Sequence, residues 1–337
     1  MARDATRRRR PTIEDVAALA GVSRGTVSRV LNGGVNVSPP ALAAVRRAIQ
    51  HTGYVVNHHA RSLVTRRSQS VAFILSASQD RLFEDPNFGT LLRGCTQALA
   101  EHDMPLLLSV AGTEEDRRRV ARFAAAGHVD GALLFSACYG DPVIGDLAGH
   151  GVPVVACGEQ PGDGVPLAYV AADDRGGARQ MVSYLRSAGC RRIATITGPL
   201  DQPGGPQRLD GYRDVLGQAA PELIAHGDYS EESGAAAARE LLRRAPDLDG
   251  LFVASDLMAR GAMRMLARAG RRVPGDVRVG GFDDSPAAIT TDPPLTTIRQ
   301  PWARISAEMT RLLLSQIAGE PPAAVILPTE LVRRGSA

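Results

Sequence analysis

The pattern of apolar and polar positions changes character along the 337-residue chain. Between residues 12 and 53 the apolar residues recur at helical spacing. Ile13, Val16, Ala17 and Ala20 mark one face of a first helix, and Thr12 with an acid three residues on resembles a capping box at its start. This helix stops at Gly21. Ser23 then caps a second helix, 24–31, whose inner face is Val27, Val30 and Leu31. Two short helices joined by so tight a link predict a helix-turn-helix. Ala17 lets the second helix approach closely, and Gly21 supplies the positive φ that the turn requires. A third helix opens at Pro39-Pro40, where proline suits a first turn, carries Leu42, Val45 and Ile49 inward, and ends at Gly53.

Beyond residue 68 short apolar runs alternate with helical patterns. The runs predict strands at 71–75, 106–110, 131–135, 152–156, 193–197, 250–254 and 277–281. The helical patterns fall at 88–102, 115–126, 175–188, 206–217, 231–244, 256–269 and 302–318. Repeated β-α order with short connections predicts doubly wound parallel sheets. A stretch of this length exceeds one ordinary core, so two lobes are expected. At roughly 150 residues per domain, the whole chain predicts two or three domains.

Composition narrows the class. With 44% hydrophobic and 22% charged residues the chain reads as globular, not disordered. No apolar run is long enough to span a membrane. The basic start, Arg7 to Arg10, leads into Pro11-Thr12-Ile13-Glu14-Asp15 without the apolar core of a secretory signal, so a cytoplasmic location is expected. Cys95, Cys138, Cys157 and Cys190 lack any CxxC spacing and read as free thiols. No metal or cofactor is expected. Every one of the 39 basic residues is Arg, which excludes a Schiff-base or P-loop lysine. No GxGxxG, GxSxG or HExxH pattern suggests an enzyme.

Charge then separates the chain into two parts. Residues 1–67 hold 12 Arg against Asp4, Glu14 and Asp15; residues 68–337 hold 27 Arg against 33 acids. A net of +9 on the head and −6 on the body directs the head toward a polyanion. A plain three-helix bundle would share the apolar pattern. It would not need the outer face of the second helix to carry Arg24, Gly25, Thr26, Ser28 and Arg29, which offers donors without acids. Arg46, Arg47 and the Arg7 to Arg10 run add charge suited to phosphates. A helix fits the major groove of DNA, where Arg pairs bidentately with guanine, so double-stranded DNA is the expected partner.

The residues Thr12-Ile13-Glu14-Asp15-Val16-Ala17, Ala20-Gly21-Val22-Ser23 and Thr26-Val27-Ser28-Arg29-Val30-Leu31-Asn32 resemble the head of the LacI/GalR family of transcription regulators. Gly53-Tyr54, Asn57 and Ala60-Arg61-Ser62-Leu63 resemble that family's hinge. The resemblance implies a segment that orders on the operator, with Leu63 wedged into the minor groove and Asn57, Ala60 and Arg61 beside it. Val64 stands where the family often has Lys, and Arg66 and Arg67 are the candidates to replace that phosphate contact. Ser23, Arg24, Gly25, Thr26, Ser28 and Arg29 are the expected contacts of the helix-turn-helix itself. The resemblance continues through Val129-Asp130-Gly131, Arg208, Gly211-Tyr212, Ser255-Asp256, Gly281-Phe282-Asp283-Asp284, Pro294-Leu295-Thr296-Thr297-Ile298 and Leu327-Pro328-Thr329.

The fold so implied is an all-α helix-turn-helix head plus an α/β two-lobed periplasmic-binding-protein-like body with doubly wound parallel sheets. Its expected divisions are a DNA-binding domain at 1–56, a hinge at 57–67 and an effector-binding and dimerisation domain at 68–337. Lobe one takes about 68–172 plus 299–325, and lobe two about 173–298 plus 326–337, with three chain crossings between them. A small effector, a sugar above all, is expected in the cleft. Arg208 and Asp283 match family positions that hold it, and a guanidinium with a carboxylate grips vicinal hydroxyls or an anion. The same two residues would also suit a structural ion pair. Asp256 is a further candidate contact that would equally suit a helix N-cap. Phe88 and Trp302 could stack on a sugar ring or sit in the core. Ser255 in place of the family's frequent Asn, and Gly158 where some sugar-responsive members have Asp, leave the effector open. Residues 80–87 form a longer loop than the family's usual one, and that loop borders the cleft in the family.

The expected function is a sequence-specific transcriptional regulator, a repressor, whose operator affinity the effector controls. A nucleobase effector, or a transport-type solute-binding protein on the same lobes, is the alternative. One head reads too few base pairs, so a homodimer on a pseudo-palindromic operator is expected. Residues 88–102 are a candidate dimer surface. Pro321-Pro322 follows Ala318, so no tetramer built on a C-terminal leucine coil is expected.

Overall fold

The computed structural model describes residues 11–31, 36–54, 67–77, 84–160, 166–217 and 220–337. It divides into two compact units, Met1–Ser68 and Gln69–Ala337.

In the head, α1 (Ile13–Ala20), α2 (Arg24–Leu31) and α3 (Pro39–Thr52) follow the apolar pattern. Thr12 and Asp15 form the capping box reciprocally: Asp15 N–H donates to the Thr12 hydroxyl at 3.3 Å, and Thr12 N–H donates to the Asp15 carboxylate at 2.8 Å. Gly21 closes α1 in the left-handed region at φ 65°. Val16, Ala17, Val27, Val45 and Ala48 make a small buried core, with Ile13, Val30, Leu31 and Ile49 packed at its edge. A core this size rests on a few methyl groups, each CH₂ worth about 0.8 kcal/mol.

In the body, β1 (Val71–Leu75), α4 (Pro86–Ala100), β2 (Leu106–Val110), α5 (Glu114–Phe123), β3 (Gly131–Phe135), α6 (Pro142–Gly149), β4 (Val154–Cys157) and β5 (Ala168–Ala172) build lobe one. The chain then forms α7 (Asp174–Ser187), β6 (Ile193–Thr197), α8 (Gly205–Leu216), β7 (Ile224–His226), α9 (Glu231–Arg244), β8 (Gly250–Val253), α10 (Asp256–Arg268), β9 (Arg278–Asp283), α11 (Pro286–Ile289) and β10 (Thr296–Arg299) of lobe two. It returns to lobe one for α12 (Trp302–Ile317) and β11 (Ala324–Leu327), and ends in lobe two with β12 (Glu330–Val332). The two six-stranded sheets have the orders β11-β5-β4-β3-β1-β2 and β12-β10-β9-β8-β6-β7. All pairings are parallel except that of β12 with β10. Three crossings link the lobes. The last follows Leu327, because 324–327 pairs with β5, so Ile326 and Leu327 belong to lobe one and not to lobe two as the sequence suggested; Arg299 pairs with Asp283 in lobe two.

Each sheet is covered on both faces, which is why its strands are continuous apolar runs. Leu133, Val155 and Val170 face α4 and α12 on one side of the first sheet, while Leu134 and Ala156 face α5 and α6 on the other. The second sheet is packed likewise between α7–α8 and α9–α10. One close approach matters for the site. A Cβ at Gly211 would lie 2.4 Å from the Arg175 carbonyl, so glycine lets α8 press against α7. That contact brings Arg208, one turn earlier on α8, beside Asp174 at the start of α7.

Candidate functional site

The cleft between the lobes is lined from both sheets' carboxyl ends, where ligands of open α/β sheets bind. It contains about 810 Å³ of space not filled by protein, part of it open to solvent. Asp283 is the last residue of β9. Its φ of 117° and that of Asp284, 56°, are rare for residues with a side chain and cost about 1–3 kcal/mol each. The turn is held because Asp284 is gripped by Arg299 at 2.7 Å and by Arg334. It directs the Asp283 carboxylate inward, where Gln300 Nε2 donates to it at 2.7 Å.

Arg208 occupies the centre of the cluster. Its Nε donates to Asp174 Oδ1 at 2.7 Å, and its Nη1 donates to the Ala254 carbonyl and lies 3.6 Å from Asp283 Oδ1. The guanidinium carbon lies 3.8 Å from the centre of the Phe282 ring, a cation–π contact that fixes its plane. Arg208 and Asp283 are therefore an ion pair and cleft-lining residues at once, joining both sequence readings of them. Burial pushes the Asp283 carboxyl up to about 7; the Arg208 charge opposes this and Asp85 adds to it. Ser285 and Trp302 also line the cleft, while their Oγ and Nε1 atoms are themselves buried.

Two sequence expectations change here. Asp256 is fully buried and does not line the cleft. Its carboxylate accepts from Ser285 N–H at 2.7 Å and from the Thr297 hydroxyl, tying the start of α10 to β10 and to the turn after β9. Nor is it the cap: Ser255 caps α10, accepting from Met258 N–H at 3.2 Å. Burial, with the Asp283 charge added, pushes the Asp256 carboxyl well above its ordinary range. Phe88 is 3% exposed and meets Phe73 edge-on with ring centres 5.7 Å apart, so it is core. Its neighbours Asp85, Pro86 and Asn87 line the cleft instead. Asp174, Tyr229, Ser285 and Gln300 were not foreseen. Gln300 directly follows β10, and Asp174 and Ser285 come two residues after β5 and β9, the one positional signal that marked them.

On the head, Ser23, Arg24, Gly25 and Arg29 are exposed, and Thr26 and Ser28 half-buried. Ser23 caps α2, its hydroxyl accepting from Thr26 N–H at 3.2 Å. The outer face is not wholly free of acids: Glu14 on α1 reaches Arg24 Nε at 3.5 Å, with both side chains more than half exposed. Arg29 Nε donates to the Gly25 carbonyl at 3.3 Å. Asn57, Ala60, Arg61 and Leu63 lie outside the described residues, as do Arg7 to Arg10, Val64, Arg66 and the 80–83 part of the longer loop.

Residues 12–57 match the family described as bacterial regulatory proteins, lacI family, and residues 182–337 match the periplasmic binding protein-like domain. The HTH-type transcriptional regulator CelR of Thermobifida fusca is 46% identical over 339 residues, covering 98% of this chain and 99% of its own. The chain belongs to the LacI family of transcription regulators. Other LacI-family relatives include the ribose operon repressor of Halalkalibacterium halodurans, 32% identical over 96% of each chain. Among solved structures, the CelR–cellobiose complex is 43% identical and superposes with a TM-score of 0.78, covering 97% of this chain and all of that one. The lac repressor dimer bound to operator and the anti-inducer ONPF superposes at 0.86 with 26% identity, covering 97% and 99%. As a LacI-family member the chain is a DNA-binding transcription regulator and not an enzyme. No described helix is long and apolar enough to cross a membrane.

Proposed function

We propose that this chain is a cytoplasmic repressor that binds a pseudo-palindromic operator as a homodimer and releases or grips it in response to a neutral sugar in the cleft. The observation that carries the sugar reading is the cleft's chemistry. Among the described lining residues one guanidinium, Arg208, faces three carboxylates, Asp85, Asp174 and Asp283. That balance disfavours phosphorylated or carboxylated ligands and suits hydroxyl donors. Trp302 supplies an aromatic side chain to the lining beside these groups. The likeness to CelR, solved with cellobiose, favours a cello-oligosaccharide. Arg208, Asp283 and Trp302 are the proposed effector contacts.

In the head, Ser23, Arg24, Gly25, Thr26, Ser28 and Arg29 are the proposed major-groove contacts, with Asn57, Ala60, Arg61 and Leu63 in the minor groove. Dimerisation is supported by edge strand β2, where Leu107 and Leu108 are 39% and 43% exposed, an apolar edge that a second copy would cover. Thermal denaturation of the full chain with cellobiose, glucose 6-phosphate and adenine tests the effector class. At 100-fold its dissociation constant a ligand adds about 2.7 kcal/mol. Stabilisation by cellobiose alone is expected; stabilisation by the sugar phosphate alone would reverse the reading of the cleft's charge.

A further inference from the structure

The lobes touch directly at a second place, away from the three crossings. The crossings leave the first sheet at β5 and β11, which form one edge of it. The contact arises from the loops after the central strands β3 and β4 of the first sheet and from the loop after β6, near the far edge of the second. Tyr139 N–H donates to the Asp201 carbonyl at 2.7 Å. The Tyr139 hydroxyl lies 3.1 Å from Gln207 Nε2 and 3.2 Å from Gln207 Oε1, so it bonds that amide in either role. Gln207 Nε2 also lies 3.5 Å from Glu159 Oε2, and Gln202 Nε2 lies 3.8 Å from Cys138 Sγ. Gly158 stands against Pro203: a Cβ there would lie 2.4 Å from the Pro203 Cβ. Tyr139, Glu159, Cys138 and Gly158 belong to lobe one; Asp201, Gln202, Pro203 and Gln207 belong to lobe two.

We infer that these contacts form a clasp which holds the lobes together at the mouth of the cleft, with the Tyr139–Gln207 bond as its catch. Every contact in it is made by the chain itself, so it forms without an effector. Gln202, Pro203 and Gly158 line the cleft, so the clasp stands beside the path by which a ligand enters. Gln207 is suited to the role because its carbonyl oxygen is already fixed by Gly204 N–H at 3.1 Å, in the cap of α8. An amide held in place at one atom loses little rotamer freedom on bonding a second partner. A clasp that favours the closed cleft lowers how often it opens, and through the population of the closed form it also bears on effector affinity. It is a gate on effector exchange, whatever the effector is.

The test needs no effector. Cys138 lies inside the clasp, whereas Cys95 and Cys190 are buried and burial holds the Cys157 thiol far above its ordinary pKa. Cys138 is half-buried in the clasp, so an increase over wild type in its rate of alkylation by iodoacetamide in the full-length protein, followed by peptide mass, reads clasp opening. Tyr139→Phe keeps the ring and removes the hydroxyl; Gln207→Leu removes the same bond from the other lobe together with the Gly204 N–H cap, and thermal denaturation of the variant reads the loss of that cap separately. Each is expected to speed alkylation about fivefold, the worth of one neutral hydrogen bond. Wild-type rates in both variants would overturn the clasp. So would acceleration in Tyr139→Phe alone, since that would be an effect of the neighbouring side chain on the thiol and not of lobe opening.

Discussion

Arg208 and Asp283 face each other at 3.6 Å inside the cleft, each less than a tenth exposed, and neither is the other's only partner. Asp174 holds Arg208 more closely, at 2.7 Å, and Gln300 holds Asp283. The pair is thus positioned by the protein while part of its bonding capacity faces the cleft. Asp283→Asn, which keeps the shape and removes the charge, is expected to weaken cellobiose binding by about 1.5–3 kcal/mol, the value of hydrogen bonds to a charged group. Titration calorimetry on the variant checks this, and unaltered affinity would assign Asp283 to a structural role.

The same carboxyl makes a prediction about pH. Its folded pKa is raised to about 7, above that of an unfolded Asp near 3.8. Between those values the native state keeps a proton that the unfolded chain has lost. The group's contribution is therefore fully present below the unfolded value and is lost as pH rises through about 7. Thermal denaturation at pH 5, 6, 7 and 8 is expected to show wild type losing ground against Asp283→Asn as pH rises. A constant difference between them would contradict the raised pKa.

Asp256 sits behind the cleft as a junction of three segments. Because burial favours its protonated form, Asp256→Asn is expected to be tolerated, its carbonyl taking the Ser285 N–H and its amide facing the Thr297 hydroxyl. Asp256→Ala strands both groups, at about 1–3 kcal/mol each. Chemical denaturation separates the two variants; equal losses would show that the charge, and not the bonding, matters there.

These two aspartates show how far the sequence could be read. The five-residue strands 71–75, 131–135 and 193–197 were legible to the residue because both faces are buried and the run is wholly or largely apolar; 106–110 is an exposed edge strand that was legible because its run is apolar all the same. The missed strands are alanine-rich, as at Ala168–Ala172, or only three or four residues long, as at Glu330–Val332, and exist because a neighbour pairs with them. Asp283 was legible as an acid at a strand end. Asp256 and Phe88 were not separable from cleft residues, since an acid opening a helix and a lone aromatic on a helix look alike whether they face a ligand or the core. Asp174 was hidden because its role depends on Arg208, 34 positions later in the chain.

On the head, the Glu14–Arg24 contact is an exposed pair of the kind worth little to stability, and it would compete with DNA for the guanidinium in the proposed groove contact. Arg24→Ala is expected to relax sequence preference, losing about 1–3 kcal/mol on the preferred duplex and little on random DNA. Arg66→Ala is expected to weaken both alike. Glu14→Gln is expected to tighten binding. Fluorescence anisotropy on specific and random duplexes checks all three; equal losses on both duplexes for Arg24→Ala would remove it from the groove.

The central claim is that a neutral sugar held at Arg208 and Asp283 controls the head's grip on DNA. Its most direct test is the affinity of the full-length protein for a duplex selected by the protein itself, measured with and without saturating cellobiose, in wild type and in Asp283→Asn. The expected result is at least a tenfold change on adding cellobiose to wild type, about 1.4 kcal/mol of coupling, and a much smaller change in the variant at the same cellobiose concentration. A wild-type affinity that cellobiose leaves unchanged, or a variant that responds as wild type does, would contradict it.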